Sequence, residues 1–180
     1  MKRTRLFADR LPSPHGDLFV VVDEDGALVR LDFVGSKERA VDEADLERSF
    51  AKKRIELSWD ANRCEHVARE LARYFAGELR SFELTLAPDG TPFQREVWEA
   101  LARIPYGQTV TYGELAERIG RSKAARAVGR ANGLNPISIV VPCHRVIGGN
   151  GTLTGYAGGL DRKRALLALE GSLESTAVGT

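Results

Sequence analysis

The sequence predicts an α/β (α+β) protein of two domains: an N-terminal sheet-plus-helix domain and a C-terminal, mostly helical domain built on a helix-turn-helix. Three observations carry this reading. Runs of β-branched and aromatic residues crowd the first third, two Thr-x-x-Gln/Glu capping boxes open helices in the middle, and the 180 residues suffice for one large or two small cores. The predicted division places residues 1 to 87 in the first domain and 88 to 172 in the second. Residues 173 to 180 form a tail expected to fray.

In the N-terminal part, "DLFVVVDEDGALVRLDFV" gives two β-rich runs around Glu24, Asp25 and Gly26. Asp-Gly at the tip is a hairpin signal, because glycine tolerates the positive φ that such turns require. Residues 60 to 79 carry Val67, Leu71, Tyr74 and Phe75 at helical spacing and end near Gly77. "SFELTLAP" reads as one more strand, and "APDG" as the turn linking the domains.

The chain then turns helical. "TPFQREVWEALARI" opens with Thr91 as N-cap, Pro92 at the first helical position and Gln94 closing a capping box. Val97, Trp98, Leu101 and Ile104 mark its buried face, and Tyr106-Gly107 breaks it. "TYGELAERIG" restarts with a box of Thr111 and Glu114 and stops at Gly120; "SKAARAVGRANG" follows, with Ser122 as its expected cap. Two short helices joined by a glycine-containing turn make the helix-turn-helix pattern, whose second helix would present Lys123, Arg126 and Arg130 to DNA. The apolar run "ISIVVP" reads as a strand before Cys143. In the last helix, "LDRKRALLALEG", Leu166, Leu167 and Leu169 are expected to point inward.

Composition removes several function classes. No segment approaches 18 consecutive apolar residues, and "MKRTRLFADRLPSPHG" lacks the apolar stretch of a secretory signal. Cys64 and Cys143 form no disulfide framework, so a reducing, cytoplasmic setting is expected; with three scattered histidines they make no zinc spacing, and no metal is expected. Net charge is only +1, yet residues 118 to 130 hold five basic side chains and no acid. A local basic stripe suits a small footprint on phosphates.

Cys143 stands out chemically. It follows the apolar run and Pro142 and precedes a glycine-rich segment, so its backbone is held. A thiol needs a base or a positive environment to become a thiolate, and His144 and Arg145 are the adjacent candidates. Neighbouring side chains in extended backbone point to opposite faces, so a bridging water is expected between His144 and the sulfur. Glu170, at the end of the last helix, is the candidate carboxylate to orient the imidazole. Cys64, on a helical pattern, reads as a buried structural residue.

"VPCHRVIGGNGTLTGYAGG" with "SKAARAVGRANGLNP" before it resembles the methylated-DNA–protein-cysteine methyltransferase family, the 6-O-alkylguanine-DNA alkyltransferases. The likeness takes in "PFQREVWEALARIPYGQTVTYGELAERIG" and "RKRALLALEG" and reaches back to "SPHGDLFVVV", roughly residues 13 to 171.

The resemblance implies a ribonuclease-H-like N-terminal domain and a winged-helix-like C-terminal one. It implies that Cys143 takes the alkyl group from guanine O6 in one irreversible displacement, with 4-O-alkylthymine as a second substrate. His144 would relay the thiol proton through water, Glu170 would orient His144, and Tyr112 would meet the flipped base and protonate the leaving guanine. Arg126 would enter the base stack from the minor groove, flanked by Lys123, Ala127, Arg130 and Asn132. Asn135 would brace the turn before the active strand, and Val146, Tyr156 and Ala157 would line the guanine pocket; many relatives carry serine where Ala157 stands. The implied protein is a cofactor-free monomer with no membrane partner, binding alkylated duplex DNA independently or cooperatively.

Two rival readings predict different behaviour. A non-enzymatic helix-turn-helix DNA-binding protein would need no thiol, and a cysteine hydrolase would turn over an ester or amide repeatedly. Residues 1 to 85 hold only Cys64, so the phosphotriester activity of two-function relatives, which needs a cysteine cluster there, is not expected.

Overall fold

The computed structural model describes residues 4–35 and 43–173. The predicted tail lies almost wholly outside the described residues. The chain forms two compact units, one of residues 1–89 with 136–138, the other of residues 90–135 with 139–180. It is a mixed α/β protein with a sheet-bearing N-terminal part and a helical C-terminal part.

In the first unit, β1 (Arg5–Leu11), β2 (Leu18–Val22), β3 (Leu28–Phe33) and β4 (Glu56–Trp59) make one sheet in the order β3-β2-β1-β4. β1 is antiparallel to β2 and parallel to β4, with Ala8 opposite Val21 on one side and Trp59 on the other. A parallel pair needs a crossover, here α1 (Glu43–Lys52). Leu46 and Phe50 of α1 pack on Leu6, Ala8, Phe19 and Val21. α2 (Ala61–Phe75) packs on β1 and β2 through Cys64, Val67, Leu71 and Tyr74. With helices against both sets of side chains, every residue of β2 is buried. The β2–β3 turn is the expected hairpin: Gly26 has φ +82°, and Asp23 accepts from the Asp25 and Ala27 amides at 3.0 and 2.8 Å.

"SFELTLAP" does not form a strand. Only Leu86 pairs with the sheet, beside Leu28, through Leu28 N–H to Thr85 O and Ala87 N–H to Leu28 O, both 2.8 Å. Its alternating half-buried and exposed residues follow an extended segment without a ladder of its own.

The second unit begins with α3 (Pro92–Ala102), whose Thr91–Gln94 box is formed and whose Val97, Trp98 and Leu101 are buried, as is Ile104 beyond its end. β5 (Val110–Thr111) leads into α4 (Tyr112–Arg118), capped by the Thr111–Glu114 box, and Gly120 follows at φ +69°. Ser122 caps nothing: it opens a single 3-10 turn, Ser122–Ala124, and α5 (Ala125–Gly133) starts after it with no side-chain cap. β6 (Val146–Ile147) pairs in parallel with β5, and α6 (Leu160–Leu169) closes the unit.

The strand expected before Cys143 is replaced by a turn. Leu31 of β3 takes up the backbone around Ile137, with Leu31 N–H to Pro136 O at 2.9 Å and Ser138 N–H to Leu31 O at 2.8 Å. Ile139 then adopts φ +72°, a left-handed conformation rare for a β-branched residue, which breaks the extended run. In α6, Leu166 and Leu167 are buried as expected, Leu169 is only half-buried, and Lys163 is fully buried on their face.

Candidate active site

Cys143, His144 and Arg145 form one 3-10 turn, all three buried, inside the second unit. The extended backbone assumed for the Cys-His pair is therefore absent. The turn is held from behind: the Asn135 side-chain amide donates to Val141 O at 2.8 Å, and the Cys143 amide donates to the same oxygen at 2.8 Å.

Glu170 caps the C-terminus of α6, buried, and gathers donors from both flanks of this turn. His144 Nε2 lies 2.9 Å from Oε1; Arg145 donates through Nε to Oε2 at 2.8 Å and through Nη2 to Oε1 at 2.9 Å; the Gly107 amide reaches Oε2 at 3.4 Å. Arg145 Nη1 also donates to Ile104 O at 2.5 Å. Burial alone would raise the Glu170 carboxyl, but the hydrogen bonds from His144 and Arg145 outweigh it and bring it down to about 2. An ionised carboxylate only accepts, so Nε2 carries the imidazole hydrogen. Burial lowers the His144 pKa, and the charges of Arg145 and Lys163 add to this against the pull of Glu170. The resulting group is a neutral imidazole whose buried Nδ1 has no protein partner among the described residues.

Tyr112 opens α4, and its hydroxyl donates to Thr154 O at 3.3 Å. Two glycines admit it. A Cβ on Gly129 of α5 would lie 3.5 Å from the ring, and one on Gly155, at φ +56°, 3.3 Å from the hydroxyl. Burial raises the Tyr112 pKa; the Thr154 bond opposes this, and negative charge on Cys143 adds to it. Tyr156 is buried with its ring edge-on to His144 at 6.5 Å, Val146 is buried, and Ala157 is half-buried.

The basic residues lie elsewhere in the same unit. Arg126, Ala127 and Arg130 are exposed on α5, at spacings that make them neighbours on the helix surface, and Lys123 is exposed on the turn before it. Asn132 departs from the expectation for a DNA contact: it is 2% exposed, on the side of α5 that also buries Val128 and Ala131. Arg121 is engaged by Glu96 at 3.1 Å. Cys64 is buried with its sulfur 3.8 Å from Phe7 O, and burial pushes its thiol up to about 12, so it is inert.

Sequence reasoning weighed Arg145 only as a neighbour of the thiol and did not single out Lys163. A signal for Lys163 was available. Positions 163, 166, 167 and 170 recur at helical spacing on one face, so a lysine there shares the buried face of the leucines.

These observations define a class: a two-part chain whose helix-turn-helix unit encloses a cysteine beside a carboxylate-oriented imidazole. Comparison with known proteins makes it specific. The family model for the 6-O-methylguanine DNA methyltransferase ribonuclease-like domain matches residues 9–88, and that for the DNA binding domain matches residues 92–172. Methylated-DNA–protein-cysteine methyltransferases of Shigella flexneri and Methanosarcina barkeri are 50% and 48% identical to this chain. Those alignments cover 94% and 92% of it, and 98% and 97% of the relatives. The crystal structure of Mycobacterium tuberculosis O6-methylguanine methyltransferase superposes with a TM-score of 0.79 at 42% identity, covering 96% of this chain and 97% of that one. The same organism's OGT in complex with DNA gives 0.77 at 43% identity, over 93% of each chain. The chain belongs to the 6-O-methylguanine DNA methyltransferase family.

Proposed function

We propose that this protein repairs alkylated duplex DNA by transferring the alkyl group from guanine O6 directly to Cys143. The observation that carries the reading is the buried Glu170–His144 pair on the same turn as Cys143, in a unit that also presents a basic helix. Family membership supports DNA as the partner and alkyl transfer as the reaction.

The thiol proton passes through a water to His144 Nδ1, and Glu170 stabilises the imidazolium that results. The thiolate attacks the alkyl carbon, a C–S bond forms, and the C–O6 bond breaks with its electron pair leaving on guanine. Tyr112 protonates the leaving base. The product is a thioether, which water does not cleave, so each molecule acts once. Exposed Arg126 enters the base stack to offset the few kcal/mol that extruding a nucleotide costs, while Lys123 and Arg130 contact phosphates from the minor-groove side. Asn132, being buried, is assigned to the interior of α5 rather than to DNA. Residues 88 to 172 carry the whole reaction, 4-O-alkylthymine is a second substrate, and the protein acts as a monomer in the cytoplasm.

Intact-mass analysis after incubation with excess 6-O-methylguanine duplex tests this. The expected result is one added methyl group per molecule, on the Cys143 peptide. Unchanged mass with retained DNA binding would instead favour a lesion-binding protein, and many lesions processed per molecule would favour a turnover enzyme.

A further inference from the structure

The mechanism above leaves one buried ionisable group unused. Lys163 lies on the inner face of α6 with its side chain fully buried. Its ammonium donates to Val146 O at 2.5 Å and to Thr154 O at 2.8 Å, both neutral carbonyls. A lysine buried against neutral partners is strongly unfavourable unless the site uses its charge. Here it ties together the pieces around the thiol. Val146 follows the Cys143 turn directly, and Thr154 O also receives the Tyr112 hydroxyl, so one ammonium pins β6, the glycine-rich loop and, through that loop, Tyr112.

We propose, resting on the repair function above, that Lys163 is a positioning residue of alkyl transfer, fixing the two carbonyls that frame the base pocket and holding a positive charge that favours the Cys143 thiolate. The groups sharing this interior are Cys143, His144, Arg145, Glu170 and Tyr112. Glu170 is bound by His144, Arg145 and Gly107, so its charge is directed away from the sulfur. Burial lowers Lys163 to about 8, opposed by negative charge on Cys143, and electrostatic coupling is reciprocal: the ammonium must favour the thiolate in turn. The same charge disfavours protonated His144, which keeps the imidazole available as a base.

The test is the pH profile of Cys143 alkylation by iodoacetamide, a reaction that needs no DNA, beside single-turnover transfer from methylated duplex. In Lys163→Met the thiol midpoint should rise by about one pH unit, slowing alkylation at pH 7 about tenfold. Lys163→Arg, which keeps the cation, should hold the midpoint of the unmodified protein. A Lys163→Met profile that coincides with that of the unmodified protein, or equal displacement in both variants, overturns the proposal. If Lys163→Met does not fold, an NMR titration of Lys163 in the full chain decides. Blocking Cys143 with iodoacetamide must lower the lysine midpoint, and an unmoved midpoint overturns the coupling. If the unmodified protein takes no methyl group from DNA while its thiol profile still depends on Lys163, the repair reading fails and the charge coupling stands.

Discussion

His144 Nε2 and Glu170 Oε1 lie 2.9 Å apart with both side chains fully enclosed, and the same carboxylate holds the Arg145 guanidinium through two bonds. Glu170 thus sets the imidazole tautomer and neutralises a buried cation at once. Glu170→Gln leaves that cation without its counter-charge. It should lower stability by about 3 kcal/mol in chemical denaturation and slow methyl transfer, because the amide no longer requires a hydrogen on Nε2. Unchanged stability would mean that Arg145 finds compensation elsewhere.

Stability should fall on the acid side in two overlapping stages. His144 is held neutral in the fold, so below its ordinary value of 6.5 the unfolded chain gains a proton first, and stability begins to drop. Glu170 is lowered from 4.5 to about 2, so its contribution is complete above 4.5 and lost as pH falls through about 2. That contribution is about 3 kcal/mol by linkage. Lys163 has the opposite slope. Its folded value of about 8 lies below the ordinary 10.5, so stability rises between those pH values as the unfolded chain loses its proton. Urea melts at closely spaced pH check all three, and a flat profile below pH 6 would contradict the first two.

Arg126→Ala should slow repair in duplex DNA far more than reaction with free 6-O-methylguanine. The side chain is exposed on α5 and contributes nothing to the thiol's surroundings. Single-turnover rates on both substrates measure the ratio, and equal losses would remove Arg126 from base extrusion.

Asn135→Ala removes one of the two donors on Val141 O, the bond that supports the turn entering Cys143. The variant should lose about 1–2 kcal/mol and show slower thiol alkylation by a small electrophile. A stability loss without any change in thiol reactivity would make Asn135 a structural brace only.

Local chemistry explains which elements were legible in the sequence. The Thr91–Gln94 and Thr111–Glu114 boxes, the Asp23–Gly26 turn and the inner face of α2 depend on residues within a few positions of one another. β1, β4 and α1 were not read, because β1 and β4 acquire strand character only by pairing across some fifty residues, Arg5 with Glu56 and Ala8 with Trp59. "ISIVVP" misled because Leu31 captures Ile137 and Ile139 then turns left-handed, neither of which periodicity can report. In the site, the Cys143–His144 adjacency and the position of Glu170 were visible. That Asn132 turns inward, and that Lys163 does too, is decided by helix faces meeting a core.

Lys163 and Glu170 sit seven residues apart, two full turns, on the inner face of α6. The helix therefore works as a ruler, setting about 10 Å along its axis between the ammonium and the carboxylate. Inserting or deleting one residue between them would swing one of the pair about 100° off the face. Substitutions on the outer side of α6 are therefore tolerable where a change of length is not.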